Sequence, residues 1–185
     1  MTLTTIIILN GFGSVGKTSA AKELQKITQA PFLHVQGDSF LEMLPPRLFG
    51  HKDGIIFKQS KEDTKASIEI EMGSAMASLL SGFRHSVAAL AAQSNHLIVD
   101  DVILEAADQK LYVETLSQFD VRFVGLHAPL EVLEQREHDR KERLIGLARW
   151  QYQRVHLGIK YDLEIDTANI TSAEISRKIA EAFKI

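Results

Sequence analysis

The sequence contains no cysteine, which excludes disulfide frameworks, thiolate zinc sites and cysteine nucleophiles. It also lacks an excess of positive charge. The 21 basic and 24 acidic side chains leave a formal net charge of −3, so sequence-independent binding to nucleic acid or anionic lipid has no basic surface to draw on. No apolar run approaches the roughly 18 residues of a membrane span, and the start, Met1-Thr2-Leu3-Thr4-Thr5-Ile6, lacks the basic region and apolar stretch of a secretory signal. Repeats and low-complexity segments are missing, and none of the seven histidines stands four residues from another, the spacing of a helical metal pair. These absences predict a cytoplasmic protein with no membrane or nucleic-acid partner, and they leave homo-oligomer formation open.

What is present is apolar content, 45% of 185 residues, enough for one domain over 1–185 with a core that needs no staples. Five short apolar runs read as strands: Thr5–Asn10, Phe32–Gln36, His96–Asp101, Arg122–His127 and Tyr161–Asp166. Several are apolar without alternation, as strands covered on both faces should be. The expected fold is α/β, three-layered, with a five-stranded parallel sheet and helices on both faces. Helices are predicted at Lys17–Thr28, which stops before Pro31, and over Ile68–Ala92, Ala106–Gln118 and Leu130–His156. Thr171-x-x-Glu174 is a capping box opening a last one. Segment 45–65, with Pro45-Pro46, Gly50, Gly54 and a mixed charge run, reads as a long substrate-side loop, and 130–157 as a lid region.

Gly11-Phe12-Gly13-Ser14-Val15-Gly16-Lys17-Thr18 matches G-x-x-x-x-G-K-[ST], directly after a predicted strand and opening a predicted helix. Chance alone would give the pattern in roughly one of 200 such chains, before that context is considered. Its backbone N–H groups, from Gly11, Gly13, Ser14, Val15 and Gly16 onward to Ser19, are expected to cradle phosphates at a helix N-terminus. Lys17 would bridge the β- and γ-phosphates of ATP, and the Thr18 hydroxyl would serve Mg²⁺. Leu97-Ile98-Val99-Asp100-Asp101 is a buried-strand run ending in two carboxylates, of which one can face the metal, because successive side chains in a strand point to opposite sides.

Asp38 follows the second strand, at the sheet edge where ligands bind in open α/β folds. Ser39-x-x-Glu42 offers a capping box one residue later, which leaves Asp38 available as the base that accepts a hydroxyl proton during phosphoryl transfer. Arg136, Arg140 and Arg143 fall on one face of the predicted helix. Either the helix is a solvated face, with Glu137–Lys141 and Asp139–Arg143 as ordinary surface pairs, or the arginines close over the charge of a transferring phosphoryl group. Trp150, Tyr152 and Tyr161 read as packing aromatics, and His156 as a substrate contact or a cation at a helix end.

The ordered set Ile8-Leu9-Asn10-Gly11 with the phosphate loop, Gly37-Asp38-Ser39, Met43-Leu44-Pro45, Val99-Asp100-Asp101-Val102, Arg136-Glu137, Arg140, Arg143 and Tyr161-Asp162-x-Glu164-x-Asp166-Thr167 resembles the chloramphenicol phosphotransferase family of P-loop kinases. The resemblance runs over nearly the whole chain, but segment Arg47–Glu71, with Phe49, His51, Lys58, Lys61 and Lys65, does not match the pattern. It implies an adenylate-kinase-like sheet, ATP with Mg²⁺, and γ-phosphoryl transfer to a primary hydroxyl of a small molecule, inactivating an antibiotic. It also implies that Asp38 is the base and that the basic residues after the fourth predicted strand form a lid. Two rivals remain: a nucleotide or sugar-nucleotide kinase using the lysine-rich segment, and an ATP-binding switch that transfers nothing.

Overall fold

The computed structural model describes residues 3–59, 68–140 and 144–185. In chain order the elements are β1 (Thr5–Gly11), α1 (Lys17–Ile27), β2 (Phe32–Gln36), α2 (Gly37–Leu41), β3 (Ile55–Gln59), β4 (Ile68–Met72), α3 (Ser74–Ala92) and β5 (His96–Asp101). They continue with α4 (Ala106–Thr115), β6 (Asp120–His127), α5 (Leu130–Asp139), α6 (Leu147–Tyr152), β7 (Leu163–Asp166) and α7 (Ser172–Phe183). β2, β5, β1, β6 and β7 lie side by side in that order, all parallel.

The run Ile6-Ile7-Ile8-Leu9 explains why this sheet needs cover on both sides. Alternate residues point to opposite faces. Ile7 and Leu9 enter one core with Ala20, Ala21 and Leu24 of α1 and Ile175 and Ile179 of α7. Ile6 and Ile8 enter the other with Phe83 and Val87 of α3, Tyr112 of α4 and Leu116 at its C-terminal cap. The five expected strands and the Thr171–Glu174 capping box are all present, the box with both reciprocal hydrogen bonds.

Two expected helices are broken. Ile68–Ala92 is a strand and then a helix: β4 pairs antiparallel with β3, Ile55 opposite Met72 and Phe57 opposite Ile70. Ile68, Met72 and Met76 fit a helical stripe, but Ile68-Glu69-Ile70-Glu71-Met72 also alternates with period two, and pairing with a second strand decides between them. Gly73 ends the hairpin rather than sitting inside a helix. Its N–H donates to Gly54 O at 2.7 Å, and a Cβ there would lie 2.1 Å from the Lys52 carbonyl oxygen. The hairpin thus fills part of the expected 45–65 loop and packs Ile55 with Leu44 and Met76 in a third small core.

Leu130–His156 is likewise not one helix. α5 stops at Asp139, Arg140 is extended (φ −95°, ψ 94°), and α6 begins after Gly146 at φ 100°. Glu137 is buried rather than part of a surface ion pair; its two carboxylate oxygens accept from Gly146 N and Ala148 N, each at 2.8 Å, and so cap α6. Such charge-assisted bonds satisfy orphan donors of a helix start. Lys141 and Arg143 lie outside the described residues.

Beyond α6 the chain is tied to the sheet end by Asn10. Its Nδ2 donates to Val155 O (3.0 Å) and Tyr161 Oη (2.6 Å), and its Oδ1 accepts from Ile103 N (2.8 Å). His156 Nδ1 lies 2.6 Å from the same tyrosine oxygen, and its ring stacks on His127 with centroids 3.9 Å apart. Burial pulls the His156 imidazole down to about 4, with His127 adding to the effect, so of the two readings of this residue the helix-end cation does not hold: the ring is a neutral group packed on His127. Because the folded pKa lies below the ordinary 6.5, the unfolded chain takes the proton first, and this contribution to stability is lost as pH falls from 6.5 towards 4. In urea unfolding across that range, His156→Gln is expected to show a shallower loss of stability than the parent; parallel curves would contradict the assignment.

Candidate functional site

The loop between β1 and α1 is shaped by close approach and by two left-handed residues. A Cβ on Gly11 would lie 2.6 Å from Leu126 O, while Ser14 (φ 64°) and Gly16 (φ 104°) turn the chain into α1. Such a turn aims successive N–H groups at one point, at the positive end of an eleven-residue helix. Gly13, Ser14, Gly16, Lys17, Thr18 and Ser19 line a cavity of about 430 Å³. Val15 serves the loop differently: its side chain is in the core and its N–H donates to Phe12 O at 3.3 Å. The Ser14 Oγ is buried and has no hydrogen-bond partner among the described residues.

Lys17 is buried at the loop mouth, its Nζ donating to Gly11 O (2.9 Å) and Phe12 O (3.0 Å). Asp100 Oδ1 lies 3.9 Å away. Thr18 Oγ1 donates to Asp100 Oδ2 at 2.5 Å, and His34 Nε2 stands 3.8 Å from that oxygen. Burial pushes the Asp100 carboxyl up, but His34, Lys17 and Thr18 together outweigh it and hold its pKa below the ordinary value. A hydroxyl and an ionised carboxylate side by side are hard oxygen donors of the kind Mg²⁺ accepts.

Asp101 points the other way. Tyr112 Oη donates to its Oδ2 (2.9 Å), Val102 N to its Oδ1 (2.7 Å), and Arg84 Nε stands 3.8 Å off while the same guanidinium bonds Asp108. Burial pushes this carboxyl up. Of the two acidic residues expected at the metal, Asp100 alone adjoins Thr18 and Lys17. The choice follows from the strand's period of two.

Asp38 stands in the first turn of α2 and lines the cavity with the loop and Asp100. The expected Ser39–Glu42 box does not form: Gln36 is the N-cap, and Ser39 Oγ instead donates to Gln36 Oε1 at a long 3.4 Å. The helix begins three residues before the position the motif predicts, so Asp38 is already inside it.

The arginine stripe separates. Arg140 is exposed and lines the cavity. Arg136 does not join it, because its guanidinium donates to Thr167 O (2.8 Å), Ala168 O (3.2 Å) and Thr167 Oγ1 (3.3 Å), tying α5 to the end of β7. Arg143 lies outside the described residues.

Glu42 and Asp101 also line the cavity, but most of the remaining lining is apolar, and the sequence pattern did not reveal it. Ile55, Phe57, Ile70 and Met72 of the hairpin form one wall with Leu41, Met76 and Leu80; Leu144, Leu147, Trp150 and Gln151 form another. Trp150 is therefore cavity lining as well as packing. Gly146 was the signal for this second wall, since a glycine inside a long helical pattern marks a break as readily as a tolerated defect.

The chloramphenicol phosphotransferase-like family model matches residues 4–184. A protein of Mycobacterium tuberculosis named for a proposed O-phosphotransferase activity is 26% identical over 187 residues, covering 97% of this chain and 82% of that one. Among solved structures, the APS kinase CysC of Mycobacterium tuberculosis in complex with AMPPNP and APS superposes with a TM-score of 0.71 at 16% identity, each chain covered fully. The tunicamycin resistance protein of Deinococcus radiodurans gives 0.66 at 18% identity over 98% of this chain and 96% of that one. Shikimate kinase of Aquifex aeolicus gives 0.57 at 16% identity over 97% and 96%. At these identities the structural likenesses show a shared kinase fold and no more. The family match, spanning nearly every residue from β1 to α7, makes this chain a member of the chloramphenicol phosphotransferase-like family of kinase-like phosphotransferases.

Proposed function

We propose that the protein transfers the γ-phosphoryl group of ATP, with Mg²⁺, to a hydroxyl of an uncharged small molecule with a largely apolar body. The observation that carries this reading is a single cavity lined by the phosphate loop, by Asp38 and by the apolar face of the β3–β4 hairpin. In this reading the loop amides and Lys17 hold the phosphates, and Arg140 meets charge that develops on the transferring group. Thr18 and Asp100 would hold Mg²⁺, which when bound offsets phosphate charge. Asp38 accepts the proton of the acceptor hydroxyl as its oxygen bonds to the γ-phosphorus and the bond to the β–γ bridging oxygen breaks, releasing ADP.

The alternation of the hairpin favours a neutral acceptor over a nucleotide. Phe57 and Ile70 line the cavity, whereas Lys58, one residue on, faces away and pairs with Glu71. Lys61 and Lys65 lie outside the described residues. A nucleotide acceptor would bring its own phosphates to an apolar wall, at a desolvation cost that no described hairpin cation lining the cavity offsets. An antibiotic alcohol such as chloramphenicol belongs to the favoured class.

The test is incubation with ATP and Mg²⁺ and a panel of acceptors, neutral aromatic or aliphatic alcohols including chloramphenicol against nucleoside monophosphates and sugar nucleotides, with products identified by mass. Phosphorylation confined to neutral alcohols is expected. ATP binding without any phosphorylated acceptor would instead favour a switch. Asp38→Asn is expected to lower kcat by about 10²- to 10⁴-fold with ATP affinity nearly unchanged; full turnover would remove Asp38 as the base. Lys17→Ala is expected to weaken ATP binding and turnover together, as measured by calorimetry and initial rates, and an unaltered affinity would contradict its role.

A further inference from the structure

Gln151 is a buried polar side chain, 7% exposed, that reaches from α6 to the phosphate loop. Its Oε1 accepts a hydrogen bond from Gly13 N at 2.6 Å. Gly13 is the third residue of the G-x-x-x-x-G-K-T motif, and the backbone N–H groups of such a loop are the donors that phosphate oxygens take. The glutamine carbonyl therefore stands on a hydrogen-bond position that a phosphate oxygen would claim.

The contact is built from several sides. Glu137 fixes the start of α6 through Gly146 and Ala148, and Asn10 fixes its exit through Val155 O. Tyr152, the next residue, stacks on Phe12, the residue before Gly13, with ring centroids 5.3 Å apart. A side chain supported on both flanks is held to one geometry, which is what a group acting on a small ligand requires. Gln151 also lines the same cavity as Asp38 and Arg140, so it faces the end of the loop where transfer would take place. Its carbonyl is an acceptor and its NH₂ a double donor. Among the described residues no partner is recorded for that NH₂.

We infer that Gln151 is a residue of the terminal-phosphate site. The γ-phosphoryl of ATP takes over the Gly13 N–H, and the glutamine amide turns to present its NH₂ to the same phosphoryl group. With ADP, which lacks that group, the carbonyl keeps Gly13. Gln151 thus recognises the triphosphate and holds the group to be transferred. The inference rests on the ATP reading above and adds to it a residue that the sequence motif does not contain.

The experiment is calorimetric titration of the whole protein with AMPPNP and, separately, ADP, both with Mg²⁺. It compares the parent with Gln151→Ala, Gln151→Met and Gln151→Glu, and the melting temperature of each variant is measured in parallel. A hydrogen bond to a charged group is worth enough that AMPPNP affinity is expected to fall about ten-fold in Gln151→Met while ADP affinity changes little. Gln151→Glu is expected to lose more for AMPPNP, because a carboxylate would face the terminal phosphate. Equal changes for both nucleotides in Gln151→Met, which keeps the side-chain length and the helix, would overturn the inference and leave Gln151 as a prop for the loop. If Gln151→Ala alone melts early, the Met and Glu variants decide. A parent protein that binds neither nucleotide would defeat the ATP reading and this inference together, whereas one that binds both with a ratio insensitive to residue 151 defeats the inference alone.

Discussion

One fully buried amide, that of Asn10, holds together the pieces from which the site is made. It stands at the end of β1, the residue before the phosphate loop, and bonds Ile103 beyond β5, Val155 beyond α6 and Tyr161 before β7. Buried polar groups are costly unless satisfied, and here the two amide atoms find three partners on three separate segments. Those segments carry Asp100, the Gln151 helix and the His156–Tyr161 cluster. The loop in front of Asn10 is therefore backed by a framework that cannot shift one segment without unpairing another. Removing the amide would leave the Ile103 N–H and the Val155 carbonyl without this partner and the Tyr161 hydroxyl with His156 alone.

The second organising feature is the separation of Asp100 from Asp101. Two adjacent carboxylates would repel on the same side of a strand, but the pleat sends them to opposite faces. Asp100 meets Thr18, Lys17 and His34 and stays below the ordinary carboxylate range despite its burial. Asp101 is pushed up by burial and is answered by Tyr112 and Arg84. A charged cluster of this kind is weak evidence for stability. It does, however, join β5 to both α3 and α4, and α3 carries the Met76 and Leu80 part of the cavity wall. The electrostatic face of the site and its apolar wall are thus referenced to the same strand end.

The site's core was legible because its chemistry is written in consecutive residues. Gly11 to Thr18 specify a turn, a close backbone approach and a helix start through local conformational requirements, and the structure has those features where the motif puts them. Strands buried on both faces announce themselves as continuous apolar runs, and Ile6 to Leu9 do so here. The hairpin was illegible because Ile68 to Met76 satisfy period two and period 3.6 at once. The Arg136–Arg140–Arg143 face was illegible because it assumed a continuous helix that Glu137 ends by turning inward to cap the next one.

By itself the sequence determined the parallel sheet, the phosphate loop with Lys17 and Thr18, the position of Asp38 at the sheet edge, and a family resemblance that the family model bears out. These depend on residues near one another in the chain, whose backbone needs or apolar period act locally. Only the tertiary structure decided which aspartate adjoins Thr18, that Arg140 lines the cavity while Arg136 does not, what forms its apolar walls, and that Gln151 reaches Gly13 from 138 residues away. Those outcomes turn on which face of one element meets which face of another. That is a matter of packing between segments, and no local pattern encodes it.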